Sequence, residues 1–302
     1  MFAFVLSGGG NYGAMQAGAL RVLLEAGIIP QMLVGTSAGS LNALYLATDL
    51  TVEGAHKLEN LWFQAKPTEM GLPGLFAAVS NIALGKESLF SNKRLLSYLK
   101  QNLQVDVKTF GELRKEHGVA VFTTAVEIPS GKLRVFGDSP QDSIIDGAMA
   151  STALPPYYPP WEVGKHRYID GGALAKLPLA VSVKRGADEI LALDVRDITS
   201  GERDITSGEG EGMLDTITMA ISVMTQQQTD YQLRWAKALG VRVYYLPLKP
   251  EKMRFWDFSQ ARRLIETGQR EAEKFLSQPG LHIPTGPTWK YRIRRMLTGQ
   301  NI

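Results

Sequence analysis

Met1-Phe2-Ala3-Phe4-Val5-Leu6-Ser7-Gly8-Gly9-Gly10-Asn11-Tyr12-Gly13 starts as an apolar run and ends as a glycine cluster, and beyond it the hydrophobic period changes. Residues 1–6 read as a strand, while residues 14–27 carry apolar side chains at helical spacing. The cluster therefore stands where a strand hands over to a helix. The pattern repeats at once: Met32-Leu33-Val34 predicts a second strand, Gly35-Thr36-Ser37-Ala38-Gly39 a tight turn, and residues 41–50 a second helix. Alternation of this kind builds a mainly parallel central sheet with helices on both faces, so the predicted fold is α/β, a three-layer α/β/α architecture.

Further along, residues 52–65 predict a helix with Leu58, Leu61 and Trp62 on one side. Residues 66–85, interrupted by Pro67 and Pro73, read as a loop or broken helical cap. Ser91 is placed to cap a helix whose stripe is Leu95, Leu96 and Leu99. Residues 119–126 and 132–136 predict a hairpin across Pro129-Ser130-Gly131, and residues 189–195 and 241–246 two more strands. Two long helices are expected at 213–239 and 259–276, with Met219, Met224 and Trp235 assigned to the core.

With 302 residues and 44% hydrophobic content the chain buries one large core, and a single domain over 1–302 is expected. A formal charge of +3 is too slight to make nucleic acid its main partner. Absence of cysteine removes disulfides, thiolate nucleophiles and cysteine metal sites together; it suits a reducing cytoplasm, the expected location. Carboxylates and histidines lack the recurrent close spacings of metal sites, so neither metal nor cofactor is expected. The first residues lack a basic leader and a cleavage site. Charges such as Arg21 and Glu25 interrupt the apolar stretches before they reach the roughly 20 residues of a membrane span. Composition leaves the oligomeric state open.

Arg196-Asp197-Ile198-Thr199-Ser200-Gly201-Glu202 is followed at once by an identical copy, Arg203-Asp204-Ile205-Thr206-Ser207-Gly208-Glu209. The segment 196–212 is polar and glycine-punctuated, which predicts a long loop leaving the carboxyl edge of the sheet. It reads either as a flap over a site at that edge or as a neutral duplication. The C-terminal part, 213–302, ends in a tail, Lys290-Tyr291-Arg292-Ile293-Arg294-Arg295-Met296-Leu297, whose basic and apolar residues suit peripheral contact with an anionic membrane surface or plain solvation.

Gly35-Thr36-Ser37-Ala38-Gly39 satisfies Gly-x-Ser-x-Gly. Alone the pattern arises on the order of once in ten chains of this length, so its context decides. A strand before, a helix after and a separate glycine loop upstream make Ser37 a candidate nucleophile on a sharp turn. Tyr168-Ile169-Asp170-Gly171-Gly172 presents a carboxylate from a glycine turn at the end of a short strand, which by itself is also a common turn. Gly-loop, Gly-x-Ser-x-Gly and Asp-Gly-Gly in this order resemble the patatin-like phospholipase family of lipid acyl hydrolases. Residues 146–160, Asp146-Gly147-Ala148-Met149-Ala150-Ser151-Thr152-Ala153-Leu154-Pro155-Pro156-Tyr157-Tyr158-Pro159-Pro160, are similar to the proline-bearing segment before that family's aspartate. The resemblance covers residues 1–195. It implies a lipid acyl-ester substrate, Ser37 as nucleophile, Asp170 as its partner, and amides from Gly8, Gly9, Gly10, Asn11 and Gly13 as an oxyanion hole. One departure stands out: the family position held here by Tyr12 is commonly basic.

The chemistry is coherent residue by residue. Attack by Ser37 on an ester builds negative charge on the carbonyl oxygen, which amides at Gly9, Gly10 and Ala38 are placed to receive. Asp170 takes the serine proton and later activates water against the acyl-enzyme. A carboxylate with a pKa of about 4 is a poor base at neutral pH, and burial raises it. Gly35, Gly39, Gly171 and Gly172 frame the two turns. Three alternatives compete. A Ser37/Asp170/His282 triad has the chain order of α/β-hydrolases, yet His282 lies in a proline-flanked segment after the last long helix. A dinucleotide site fits Gly8-Gly9-Gly10-Asn11-Tyr12-Gly13 but lacks the acidic residue that should close the second strand. A non-catalytic lipid-binding module would have no use for both Ser37 and Asp170.

Overall fold

A computed structural model describes residues 1–65, 87–103, 108–196, 213–250 and 258–285, with backbone alone for 213–219. The predicted broken segment 66–85, the duplication beyond Arg196 and the basic tail lie outside the described residues. The first unit is β1 (Phe2–Leu6), α1 (Gly13–Glu25), β2 (Met32–Thr36) and α2 (Ala38–Thr48). Helices α3 (Val52–Gln64), α4 (Asn92–Asn102) and α5 (Phe110–His117) lead to the hairpin β3 (Ala120–Ile128) and β4 (Lys132–Phe136). Then come α6 (Ile144–Ser151), β5 (Trp161–Val163), β6 (His166–Asp170), α7 (Gly172–Ala175), α8 (Leu179–Val183) and β7 (Glu189–Val195). The long helix α9 (Met213–Ala238), β8 (Arg242–Leu248) and α10 (Ala261–Leu276) complete the order.

Strands β3, β2, β1, β7 and β8 run parallel side by side. Parallel strands are buried on both faces and need continuous apolar sequence, which residues 1–6 and 190–193 supply. Their side chains alternate between two cores. Phe4, Leu6, Leu33, Leu191 and Leu193 face the layer holding α1, α2, α3 and α10. Ala3, Val5, Met32, Val34 and Ile190 face α8 and α9 through Leu179, Val181 and Leu233. This is the three-layer α/β/α arrangement predicted from the alternating pattern.

The sheet branches at β3, and the branch positions the site. Thr123 and Thr124 pair with Gly35 and Thr36 of β2 on one edge and with Phe136 and Val135 of β4 on the other. Ala125 pairs with Arg134 of β4 and with Asp170 of antiparallel β6. A strand has two edges, so β2 and β6 share one of them. They meet carboxyl end to carboxyl end, opposite the neighbouring residues Thr124 and Ala125.

Local signals explain most element boundaries. The Ser91 and Ser143 side chains accept from the Lys93 and Asp146 amides to cap α4 and α6, and Thr109 with Glu112 forms a capping box on α5. Helices α5 and α6 are too short to show a periodic stripe, and the caps are their main trace. The assignment of Met224 to the core is corrected: it is 63% exposed. Trp235 is half-buried, and the Met219 side chain lies outside the described residues.

Helices α1 and α10 cross with backbones almost touching. A Cβ on Gly18 would lie 2.2 Å from the Ile265 carbonyl oxygen, and one on Gly268 would lie 1.9 Å from that of Met15. Because α1 holds the glycine loop at its first turn, this crossing fixes the loop's height over the sheet. Gly268→Ala is expected to destabilise the fold by about 1–3 kcal/mol through overpacking, measured by denaturant titration with an unchanged m value.

Candidate active site

Ser37 caps α2 at φ 54°, ψ −126°, the only non-glycine residue with positive φ among the described residues. That conformation costs about 1–3 kcal/mol, so the surroundings must hold it. They do so through glycines. A Cβ on Gly35 would sit 2.3 Å from the Gly39 carbonyl oxygen, and one on Gly39 would sit 2.5 Å from that of Leu6. The first turn of α2 thus packs directly on the backbone of β2 and β1. The Ser37 amide donates to Ser151 Oγ at the end of α6 (2.9 Å), and the Ser37 carbonyl receives the Ser40 and Leu41 amides.

Asp170 reaches the same point from β6. Its carboxyl is 2% exposed, and Oδ1 accepts the Gly172 amide at 2.7 Å. The Ser37 hydroxyl is the second polar group acting on it. Oδ2 is buried and makes no hydrogen bond of normal geometry among the described residues. Burial is the largest influence and pushes the pKa up to about 6, against the lowering effects of the Ser37 hydroxyl and the Gly172 amide. Gly171 permits the approach, since a Cβ there would lie 2.2 Å from Thr124 Oγ1. Thr124 Oγ1 in turn shares a 2.7 Å hydrogen bond with Thr36 Oγ1, next to Ser37.

The glycine loop divides into two kinds of residue. Gly8 is corrected as an oxyanion donor: its amide already donates to the Lys176 carbonyl oxygen at 3.0 Å. Gly13 is corrected likewise, its amide being turned back on Gly10 and Asn11; the lack of a side chain lets α1 approach Ala38 and Trp62. Asn11 and Tyr12 are buried, Tyr12 within the core, so this position is a packing residue. Gly9 and Gly10 make no backbone hydrogen bond through their amides among the described residues. Ala38 opens α2, where the first amides lack an intrahelical acceptor.

A buried polar chain that sequence reasoning missed braces these parts. Gln16 Nε2 donates to the Ser7 carbonyl oxygen (2.9 Å), Asn42 Nδ2 to Gln16 Oε1 (2.9 Å) and to the Gly13 carbonyl oxygen (2.9 Å), and Trp62 Nε1 to Asn42 Oδ1 (2.9 Å). Ser7 Oγ accepts the Val195 amide at 2.8 Å. A lone glutamine among Ala14, Met15 and Ala17 is the one trace of it in the sequence. Lys176 Nζ donates to the Val195 carbonyl oxygen at 2.8 Å, tying the segment after Asp170 to the end of β7.

Gly10, Ser37 and Ala38 form one wall of a cavity of about 100 Å³ that extends between α2, α3 and α4. Leu41, Leu58, Trp62, Leu95, Leu99 and Phe258 make it almost wholly apolar. The Trp62 indole nitrogen is already bonded, so the ring meets the cavity as hydrocarbon.

The histidines lie elsewhere. His56 pairs with Glu59, His117 with Glu116 and His166 with Glu127. The His282 carbonyl oxygen accepts from Tyr244 of β8, which is separated from β2 by β1 and β7. The triad alternative therefore finds no support in the geometry.

Comparison with known proteins follows the same lines. Patatin-like phospholipase domain-containing protein 7 of Mus musculus is 28% identical over 206 residues, 68% of this chain and 14% of the relative. Neuropathy target esterase sws of Drosophila melanogaster is 27% identical over 194 residues, 63% of this chain and 12% of the relative. The chain thus spans only about a seventh of the length of these relatives. Among solved structures, VipD from Legionella pneumophila superposes with TM-score 0.48 at 16% identity, covering 91% of this chain and 66% of that one. The family model for patatin-like phospholipase matches residues 4–182, which contain the glycine loop, Ser37 and Asp170, and the chain belongs to that family.

Proposed function

We propose that the protein is a lipid acyl hydrolase in which Ser37 and Asp170 act as a dyad. The observation that carries this reading is a fully buried carboxyl, held near pKa 6, beside a hydroxyl on a strained turn at the wall of an apolar cavity. Ser37 Oγ attacks the ester carbonyl while its proton passes to Asp170. Negative charge on the carbonyl oxygen is received by the Gly9, Gly10 and Ala38 amides, each such donor being worth about 3 kcal/mol in the transition state. Asp170 returns the proton to the departing alcohol and leaves an acyl group on Ser37. Water then loses a proton to Asp170 as it attacks the acyl carbon, and that proton goes back to Ser37 as the fatty acid departs.

The cavity favours a long acyl chain. Seating such a chain between Leu58, Leu95 and Leu99 contributes about 0.8 kcal/mol per buried methylene. A phospholipid or lysophospholipid is the expected substrate, since the family resemblance points there and the acyl cavity suits either. Hydrolysis of a lipid panel, with fluorophosphonate labelling mapped by mass spectrometry, tests the reading. Labelling at Ser37 with release of fatty acid is expected, and a folded protein that neither labels nor hydrolyses any ester overturns it.

Ser37→Ala and Asp170→Asn are each expected to reduce kcat by about a thousandfold or more while far-ultraviolet circular dichroism stays unchanged. Because the base must be ionised, kcat/KM should fall about tenfold per pH unit below about 6 and level off above it.

The same burial links function to stability. Folded Asp170 keeps its proton to higher pH than the unfolded chain does. Stability is therefore lost as pH rises from the ordinary carboxylate range to about 6, and stays lower above that. Asp170→Asn, which still accepts the Gly172 amide through Oδ1, is expected to unfold at higher denaturant than wild type at pH 8, by about 2–3 kcal/mol. At pH 4 the difference should nearly vanish.

A further inference from the structure

Helix α9 is inverted along the half nearest the site. Ser222, Thr225 and Thr229 are turned inward and buried, whereas Val223, Met224 and Tyr231 point outward at 48%, 63% and 64% exposure. A water-facing helix has the opposite pattern. The position of this half is set by two hydrogen bonds: Gln228 Nε2 donates to the Ala173 carbonyl oxygen (2.9 Å), and Gln232 Oε1 accepts the Ala180 amide (3.0 Å). Ala173 follows the Asp170-Gly171-Gly172 turn, and Leu174 beside it is 45% exposed. Gln228 thus seats the middle of the helix against the segment that follows Asp170, and from there back to Met213 the helix runs about 22 Å.

We propose that this outward face, Val223, Met224 and Tyr231 with Leu174 alongside, is the surface on which the protein settles against a lipid aggregate. The choice of a lipid surface rests on the reading of the site as a lipid acyl hydrolase; the inverted face itself does not. The order of residues along the helix selects the occupant. Val223 and Met224 come first, Tyr231 lies about 10–12 Å further along, and exposed Arg234 follows another 4–5 Å on, close to the same line of the helix. Hydrocarbon, then an aromatic ring with a polar tip, then a cation is the succession that acyl chains, the headgroup boundary and lipid phosphates call for. A face made to bury against a second copy of the chain has no need of that sequence.

Flotation with vesicles of phosphatidylcholine, alone and mixed with phosphatidylglycerol, tests the proposal on the full chain. Val223→Glu combined with Met224→Glu is expected to weaken vesicle binding about tenfold or more and to leave turnover of a soluble short-chain ester unchanged. Tyr231→Ser, a milder change on the same face, should weaken binding in the same direction. Wild type that does not float, or variants that float as wild type does, overturn the proposal. So does a wild-type dimer in light scattering that the double variant converts to monomer, since the face then joins two copies. Wild type that hydrolyses no ester, with vesicle binding that still depends on Val223 and Met224, defeats the hydrolase reading and leaves the surface standing.

Discussion

Two strand ends on one edge of β3 are the constraint on which the site depends. Thr36 closes β2 opposite Thr124, and Asp170 closes β6 opposite Ala125. Had β6 run parallel to β2 along this edge, its carboxyl end would have stood opposite Ile128, about 10 Å further along β3. Antiparallel entry lets the two chains arrive head-on, so a serine leaving one strand faces a carboxyl ending the other. The Thr36–Thr124 hydroxyl pair and the bare backbone of Gly171 occupy the seam where any larger side chain would force them apart.

Burial gives this carboxyl its chemistry and exacts a cost. An exposed aspartate would be ionised but almost inert as a base; within the sheet edge, with the Gly172 amide and the Ser37 hydroxyl as its polar neighbours, it binds a proton far more readily. The strained φ of Ser37 adds a second local cost. Both are sustained by parts of the molecule that perform no chemistry: the doubly buried parallel strands and the close crossing of α1 and α10. Sites of this kind are stable only as a small fraction of a larger packed body.

Period and glycine placement made the fold and the turns legible. Residues 1–6, 32–34 and 190–193 carry the continuous apolar runs of doubly buried strands, and Pro129-Ser130-Gly131 marks the hairpin turn that the structure contains. The placing of Gly35 and Gly39 was readable because backbone contact excludes every other residue there. What stayed hidden depends on tertiary partners. Nothing local announces that the Gly8 amide is consumed by the Lys176 carbonyl, that Ser151 receives the Ser37 amide, or that Gln16 and Asn42 link the loop to Trp62. Met224 was misassigned because a methionine at helical spacing reads as core, whereas the inward face of α9 there is made of serine and threonine.

The braces also show which parts of the site move as a body. Ser7, Gln16, Asn42 and Trp62 bind the glycine loop, both first helices and one cavity wall into a single unit. Asp170 belongs to a different stretch of chain and is joined to that unit at two places. One is Thr36, whose hydroxyl donates to the Ala175 carbonyl oxygen at 2.8 Å. The other is Lys176, whose carbonyl holds the Gly8 amide while its ammonium holds the end of β7 at Val195. Val195 in turn packs against Gly9, where a Cβ would come within 2.9 Å of it, and donates its amide to Ser7 Oγ. A shift of the Asp170 turn is therefore transmitted to the Gly9 and Gly10 amides through Lys176 and Val195. The Asp170 carboxyl and the Gly9 and Gly10 amides keep register with each other because they share these two residues.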